Sequence, residues 1–475
     1  MTRHLSTFFV VFLAMLAVAN GQDAHASQSS FNSSAGPAAN SPVTLTTLVN
    51  FEGPDGNDSL MEYLVQGKDG NLFGTTRLGG TANDGTVFKV TPSGVLTSLH
   101  SFVKTDGENP EAGLILAADG EFYGVTYSGG KNDYGTIFEI TPKGELHTIH
   151  NFDNTDGEAP AAALILGTDG NYYGTTVNGG ANGWGTVFKM TPSGAITTFH
   201  SFAFDDIDGF DPFGLVEGPD GDFYGTTSDG GSGGFGTVYK ITATGTFTLL
   251  HTFANTDGSD PQAPLVQGRD GNFYGTTGAG GANGDGEVFS VTPSGVLTVL
   301  HSFDVGDGYV PVAGLIEAID GNFYGATYGG GANGVGTIFE ITPNGVLTTL
   351  YSFSGVADGS YPYGGLVQHT SGALYGTTSG GGENGCGTVF QVNAGLDPFV
   401  KPLPAFGQVG ATVAVLGTNL SGVSGVSFNG TPASFNLGSS SYLTATVPAG
   451  ATTGIIEVTT SSRTLKSDVK FRVMP

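Results

Sequence analysis

The densest set of side chains that could do chemistry is the loop "FDDIDGFDP". Asp205, Asp206, Asp208 and Asp211 there offer clustered hard oxygens beside a glycine turn, which suits Ca²⁺ with its six to eight oxygen ligands. The loop is not an EF-hand, because Phe204 and Leu215 fall where that loop needs oxygen ligands. Asp-Gly pairs also make turns without any metal, so a purely structural use of these aspartates stands beside the Ca²⁺ reading. A second set is aromatic. Tyr134, Trp184 and Phe235 occupy equivalent places in three successive copies of a repeat, and Trp184 is the single tryptophan. Rings held side by side on a rim could stack on sugar faces or grip a peptide. A third set, His100, His150, His200, His251 and His301, recurs at one position per copy. Ligands of one ion must all lie about 2 Å from it, so histidines spread over separate copies are structural. Cys386 is the sole cysteine, which excludes an intrachain disulfide, and nothing marks a base for it as a nucleophile. No Ser-His-Asp, Cys-His or paired-carboxylate constellation can be assembled, so a non-enzymatic protein is expected.

The elements that hold these residues are set by repetition. Aromatic-glycine pairs recur at Phe73-Gly74, Tyr123-Gly124, Tyr173-Gly174, Tyr224-Gly225, Tyr274-Gly275, Tyr324-Gly325 and Tyr375-Gly376. Each copy contains four strand-like runs, a to d, separated by Gly, Asp-Gly and Pro-rich turns, and none has helical periodicity. Four short antiparallel strands per unit, repeated in this way, predict an all-β fold: a seven-bladed β-propeller over residues 43–394. The run "VTLTTLVNF" at 43–51 is a d strand without its own a, b and c, and the last copy stops after c. A ring closed by the N-terminal strand removes both ragged ends. The a–b and c–d turns then share a short, uniform face, while the d–a and b–c loops share a longer, variable one where binding is expected.

The chain has 475 residues and a net charge of −27. Its 81 glycines would suggest disorder were it not for 33 Phe and 17 Tyr, enough rings to build a core. The acidic surface repels phosphate backbones and excludes nucleic acid as a partner. At the start, Arg3 precedes an apolar run from Leu5 to Ala19, and Ala24 and Ala26 follow as small residues. This predicts a signal peptide over 1–26, then a disordered linker over 27–42, a mature chain without a transmembrane segment, and a secreted or cell-surface monomer.

After a linker at 395–404, the repeat gives way to short alternating strands over 405–475, the length of a small β-sandwich. Gly410, Val413, Gly417, Asn419, Leu420, Val426, Phe428, Pro448, Gly454 and Phe471 make this segment similar to an IPT/TIG domain, an immunoglobulin-like module that in its family serves as spacer or interaction domain. The unit "DGNFYGTT…GTVF" over 43–393 resembles the GloVer tandem repeat of exported, choice-of-anchor bacterial proteins. That resemblance implies export and carries no activity. The chain lacks an apolar C-terminal helix with a basic flank, so it departs from the anchored pattern. The function expected from all this is binding or adhesion, with the loop face taking an extracellular glycan, peptide or surface polymer. The alternative is a polysaccharide hydrolase or lyase using carboxylates on the same face.

Overall fold

The computed structural model describes residues 43–59, 63–204 and 208–475. The expected leader and linker, and the candidate metal ligands Asp205 and Asp206, lie outside the described residues. Residues 42–475 form one compact unit. The described residues contain strands and turns and no helix, and hence no helix long and apolar enough to cross a membrane.

Seven four-stranded antiparallel sheets make the propeller, each with its strands in the order a-b-c-d from axis to rim. Blades 1 to 6 run through Val65–Ser101, Ile115–Asn151, Ile165–Ser201, Phe210–Thr252, Val266–Ser302 and Ile316–Ser352. Blade 7 joins strands within 367–393 to Thr44–Asn50, whose residues pair antiparallel with the last strand from Thr44↔Asn393 to Asn50↔Thr388. The ring is therefore closed as the repeat arithmetic required. Innermost strands are shorter than their apolar runs suggest, two residues in six blades. Blade 4 is the exception, with an eight-residue inner strand at Phe210–Glu217.

The glycine of each aromatic-glycine pair has a steric cause. Gly174 pairs across the ladder with Phe188, whose ring tip would stand 2.6 Å from a Cβ at Gly174, with the Leu164 side chain at 2.9 Å. Packing between blades is aromatic. The last phenylalanine of each d strand meets edge-on the ring of strand c in the next blade: Phe102 on Phe138 at 5.2 Å, Phe152 on Phe188 at 5.4 Å, Phe303 on Phe339 at 5.2 Å. Phe51 on Phe88 at 5.3 Å completes the circle across the closure. These rings are fully buried, and deleting one such ring costs about 3–5 kcal/mol.

The C-terminal residues form two four-stranded sheets around a core that includes Val413, Leu443, Ile456 and Phe471. This sandwich is not held on a free tether, since Phe399 and Val400 are buried. It lies against the a–b turns: Ser441 Oγ donates to the Lys68 carbonyl at 2.6 Å, Thr418 and Thr370 hydroxyls meet at 2.8 Å, and Arg269 donates to the Asp468 carbonyl at 3.2 Å. Leu416 packs into the apolar cluster that joins blades 1 and 2. The sandwich thus contacts blades 1, 2, 5 and 7 on the short-turn face and leaves the long-loop face clear.

Candidate functional site

The loop aspartates divide into two populations. The first is built into the rim. The Nε2–H of the histidine near the end of strand d donates to a loop aspartate six or eight residues on, as in His150–Asp156 at 2.7 Å, His301–Asp307 at 2.8 Å and His200–Asp208 at 3.0 Å. The second oxygen of Asp156 accepts the Asp153 backbone N–H at 3.0 Å, and that of Asp307 accepts the Asp304 N–H at 2.9 Å. Each histidine also stands edge-on to the phenylalanine two residues later, His150 to Phe152 at 5.0 Å. In blade 6, Tyr351 and Asp358 play the same parts at 2.7 Å. The recurring histidines are clasps for the d–a loops, and Asp208 is occupied by one of them.

The second population surrounds the propeller axis. At one equivalent position in every d–a loop a non-glycine residue has a left-handed backbone: Asp58, Asn109, Ala159, Asp211, Asp260, Val310 and Tyr361, with φ between 54° and 58°. All but Asp58 precede proline. Non-glycine residues adopt this conformation at a cost, and here backbone bonds on both sides hold it. The Val310 N–H donates to the Asp285 carbonyl of the preceding blade at 2.9 Å, and its carbonyl accepts from Tyr328 at 3.1 Å. The backbone of the loops is thus uniform while the side chains on it are not.

Those side chains converge with two neighbouring positions to line a funnel on the long-loop face. Arg77 spans Asp58, at 3.2 Å, and Glu111, at 3.0 Å. Gln262 donates to both oxygens of Asp260 at 2.9 Å and accepts from Tyr363 at 3.3 Å, a bond from blade 5 to blade 7. Tyr328 stacks on Tyr361 at 4.8 Å and meets Tyr363 edge-on at 5.8 Å. Burial and neighbouring negative charge govern the ionisation. Burial pushes the Glu111 carboxyl up to about 7 against the pull of Arg77. Burial, Asp229 and Asp260 push Asp211 up to about 7. Burial and Asp229 push Asp260 up to about 7 although Gln262 opposes it. Burial raises Asp229 too.

Beneath the funnel lies a cavity of about 250 Å³ lined by Ala163, Phe213, Gly214, Gln262, Tyr363 and Tyr63, among others. Tyr63 is the residue that breaks the repeat on the axis. Before the leucine that opens each inner run, the other blades carry Gly113, Ala163, Gly214, Pro264, Gly314 and Gly365, all small or compact. Blade 1 has Tyr63 instead, and a Cβ at Gly314 or Gly365 would overlap its ring. Six compact residues open the channel and one tyrosine fills its centre.

Of the residues singled out from sequence, Asp211 belongs to this funnel. It is buried, 9% exposed, while Asp208 clasps His200. Trp184 stands with Phe204 and Phe210 at 4.8 and 5.0 Å, and Tyr134 and Phe235 lie half-buried in two other apolar clusters between blades. Among the described residues no group of three or more His, Cys, Asp or Glu converges closely enough to hold a metal ion. Sequence reasoning missed Arg77, Glu111, Gln262, Tyr63 and Tyr363. Aligning the copies and asking which positions depart from the repeat finds them, because departure is visible without coordinates, but which departures meet on the axis is not.

Fold and site together define a seven-bladed β-propeller with a polar axial funnel over an apolar-walled cavity. The chain belongs to the Gloeobacter/Verrucomicrobia repeat family, whose model matches residues 37–217 and 211–434, and residues 400–473 match the IPT/TIG domain. No curated protein matches it. Among solved structures it is similar to a structural-genomics protein of unknown function from Bacteroides thetaiotaomicron, with 14% identity, a TM-score of 0.43, and 74% of this chain and 75% of that one covered. It is also similar to a gluconolactonase from Xanthomonas campestris, with 13% identity, a TM-score of 0.40, and 74% and 89% covered. Likeness at this level concerns the propeller fold alone.

Proposed function

We propose that the protein is an exported, non-enzymatic binding protein whose axial funnel holds one end of an extracellular glycan. The observation that carries this reading is the convergence on the axis of the side chains that break an otherwise uniform repeat. A binding site needs a concavity with a few well-placed polar groups and apolar walls, and the funnel offers both. Asp58, Glu111, Asp260 and Gln262 supply paired oxygens and an amide suited to vicinal hydroxyls, Arg77 supplies a fork of donors, and Tyr328 and Tyr363 supply ring faces for the apolar side of a sugar. The IPT/TIG sandwich rests on the opposite face, so a polymer would enter by its terminus instead of threading through. Export is supported by the leader-like residues 1–26 and by the family.

The test is a glycan array on the full chain with three variants. Tyr363→Ala and Gln262→Ala are expected to abolish retention, and Trp184→Ala to leave it intact. Loss with Trp184→Ala alone would move the site to the aromatic cluster on the rim.

One observation favours the hydrolase reading. A carboxyl held up to about 7, as at Glu111, keeps a large protonated fraction at neutral pH and can act as a general acid. Release of reducing ends from a retained glycan, lost with Glu111→Gln, would establish turnover.

A further inference from the structure

The axial cavity is walled on one side by a residue that no other blade supplies. Tyr63 fits there because the residues facing it are glycines: a Cβ at Gly365 would overlap its ring, and one at Gly314 its hydroxyl. The Tyr63 Oη atom is buried and, among the described residues, has no hydrogen-bond partner. The Gly314 backbone acts on its oxygen, and nothing accepts its hydrogen. A phenylalanine would fill the same space without the cost of a stranded hydroxyl. The other polar side chains of the cavity are already engaged. Tyr363 Oη donates to Gln262 Oε1 at 3.3 Å, and the Gln262 amide nitrogen donates to Asp260 at 2.9 Å. The rest of the lining is apolar, with Ile115, Phe213 and Val312 among it, and it includes no charged side chain.

This lining selects its occupant. Ordered water needs roughly two to four polar partners per molecule, and the side chains here leave one donor open. A sugar ring would bury its hydroxyls unpaired, and an ion would find no counter-charge. The volume is about 250 Å³. A dry cavity of ~150 Å³ holds a benzene ring, so this one suits a ring-sized group with one carbonyl. We propose that the axial cavity is an acyl subsite, taking a neutral, ring-sized acyl group on the terminal sugar, with its carbonyl oxygen accepting from Tyr63 Oη. The attachment to a sugar rests on the glycan reading above; the preference of the cavity for a neutral carbonyl does not.

The experiment is calorimetric titration of the full chain with two sugar-free probes of one shape, acetophenone and ethylbenzene, which differ by the carbonyl oxygen. Both are expected to bind. Tyr63→Phe is expected to weaken acetophenone about 5-fold, the worth of one neutral hydrogen bond, and to leave ethylbenzene unchanged. Ala163→Leu, which fills the cavity, is expected to abolish binding of both. Failure of both probes to bind, or a Tyr63→Phe effect that falls equally on the two, would overturn the subsite. Tighter binding of benzoate or benzylammonium than of acetophenone would overturn it in favour of a charged ligand. On the glycan array, acylated termini are expected to be retained and the same termini without the acyl group to be lost. Equal retention of the two would overturn the attachment to sugar. A blank array with both probes bound would remove the glycan reading and keep the acyl site; a positive array with neither probe bound would do the reverse.

Discussion

The rim clasps and the axial funnel are made of the same residue types and behave oppositely. At the rim, one loop aspartate is matched by a histidine or tyrosine after the d strand of six blades, while Asp55 after the closing strand accepts only the Glu52 N–H. On the axis, aspartates and a glutamate gather with one arginine among them, and three of the carboxyls are held up to about 7. Matched polar groups stabilise, whereas unmatched ones cost stability and persist only where something else maintains them. A repeat protein makes this contrast easy to see, because every position has six internal controls. What recurs with its partner is architecture, and what departs from the repeat on the axis marks the candidate site.

Four measurements would break or sharpen this contrast, taken in order of expected size. Phe51→Ala removes both a buried ring and the edge contact that closes the circle, and is expected to cost ~3–5 kcal/mol in chemical denaturation. A loss below ~1 kcal/mol would mean that the closure does not hold the ring together. Next comes the funnel. A carboxyl with an unfolded value of 3.8 and a folded value of about 7 binds more protons in the native state across that interval. Stability is therefore expected to fall as pH rises from about 4 to about 7, then level off. Asp211→Asn should flatten part of this slope, adding roughly 2–3 kcal/mol at pH 8 and nothing near pH 4, as read from melting temperatures across pH. Unchanged melting profiles would show that Asp211 is compensated after all.

At the rim the sign reverses. Asp156→Ala breaks the clasp on His150 and the bond to the Asp153 N–H, and should cost ~1–2 kcal/mol without changing ligand binding. An effect on binding would dissolve the division between rim and axis. The smallest effect is expected at Glu287, where blade 5 carries a buried glutamate in place of the threonine whose hydroxyl pairs across strands b and c, as in Thr327–Thr337 at 2.9 Å. One Glu287 oxygen is bonded by Ser302 at 2.7 Å and the other lacks a partner. Glu287→Thr should restore the pair with Thr277 and add ~1 kcal/mol to the melting free energy.

The fold was legible because the repeat shows its own period and its own missing piece. The stray strand at 43–51 and the truncated last copy can be satisfied together only by pairing, and they do pair. The role of the histidines was legible in part: separate blades forbid a shared ion, but the aspartate that each one clasps could not be picked from several in the same loop. The site was the least legible. Tyr134, Trp184 and Phe235 caught attention because they are large and aligned, whereas Tyr63 and Glu111 sit among small residues with no motif around them.

Local sequence by itself determined the strands, the turns, the glycines beneath each ring and the number of blades, because those depend on neighbours along the chain and on one unit repeated. Only the tertiary structure decided what faces the axis. Arg77 and Glu111, or Gln262 and Tyr363, come from different blades, and the distance between them is set by the curvature of the whole ring, which no single copy of the repeat encodes. The charge state of Asp211 belongs to the same class, since desolvation and the field of Asp229 and Asp260 exist only once seven blades have closed around them.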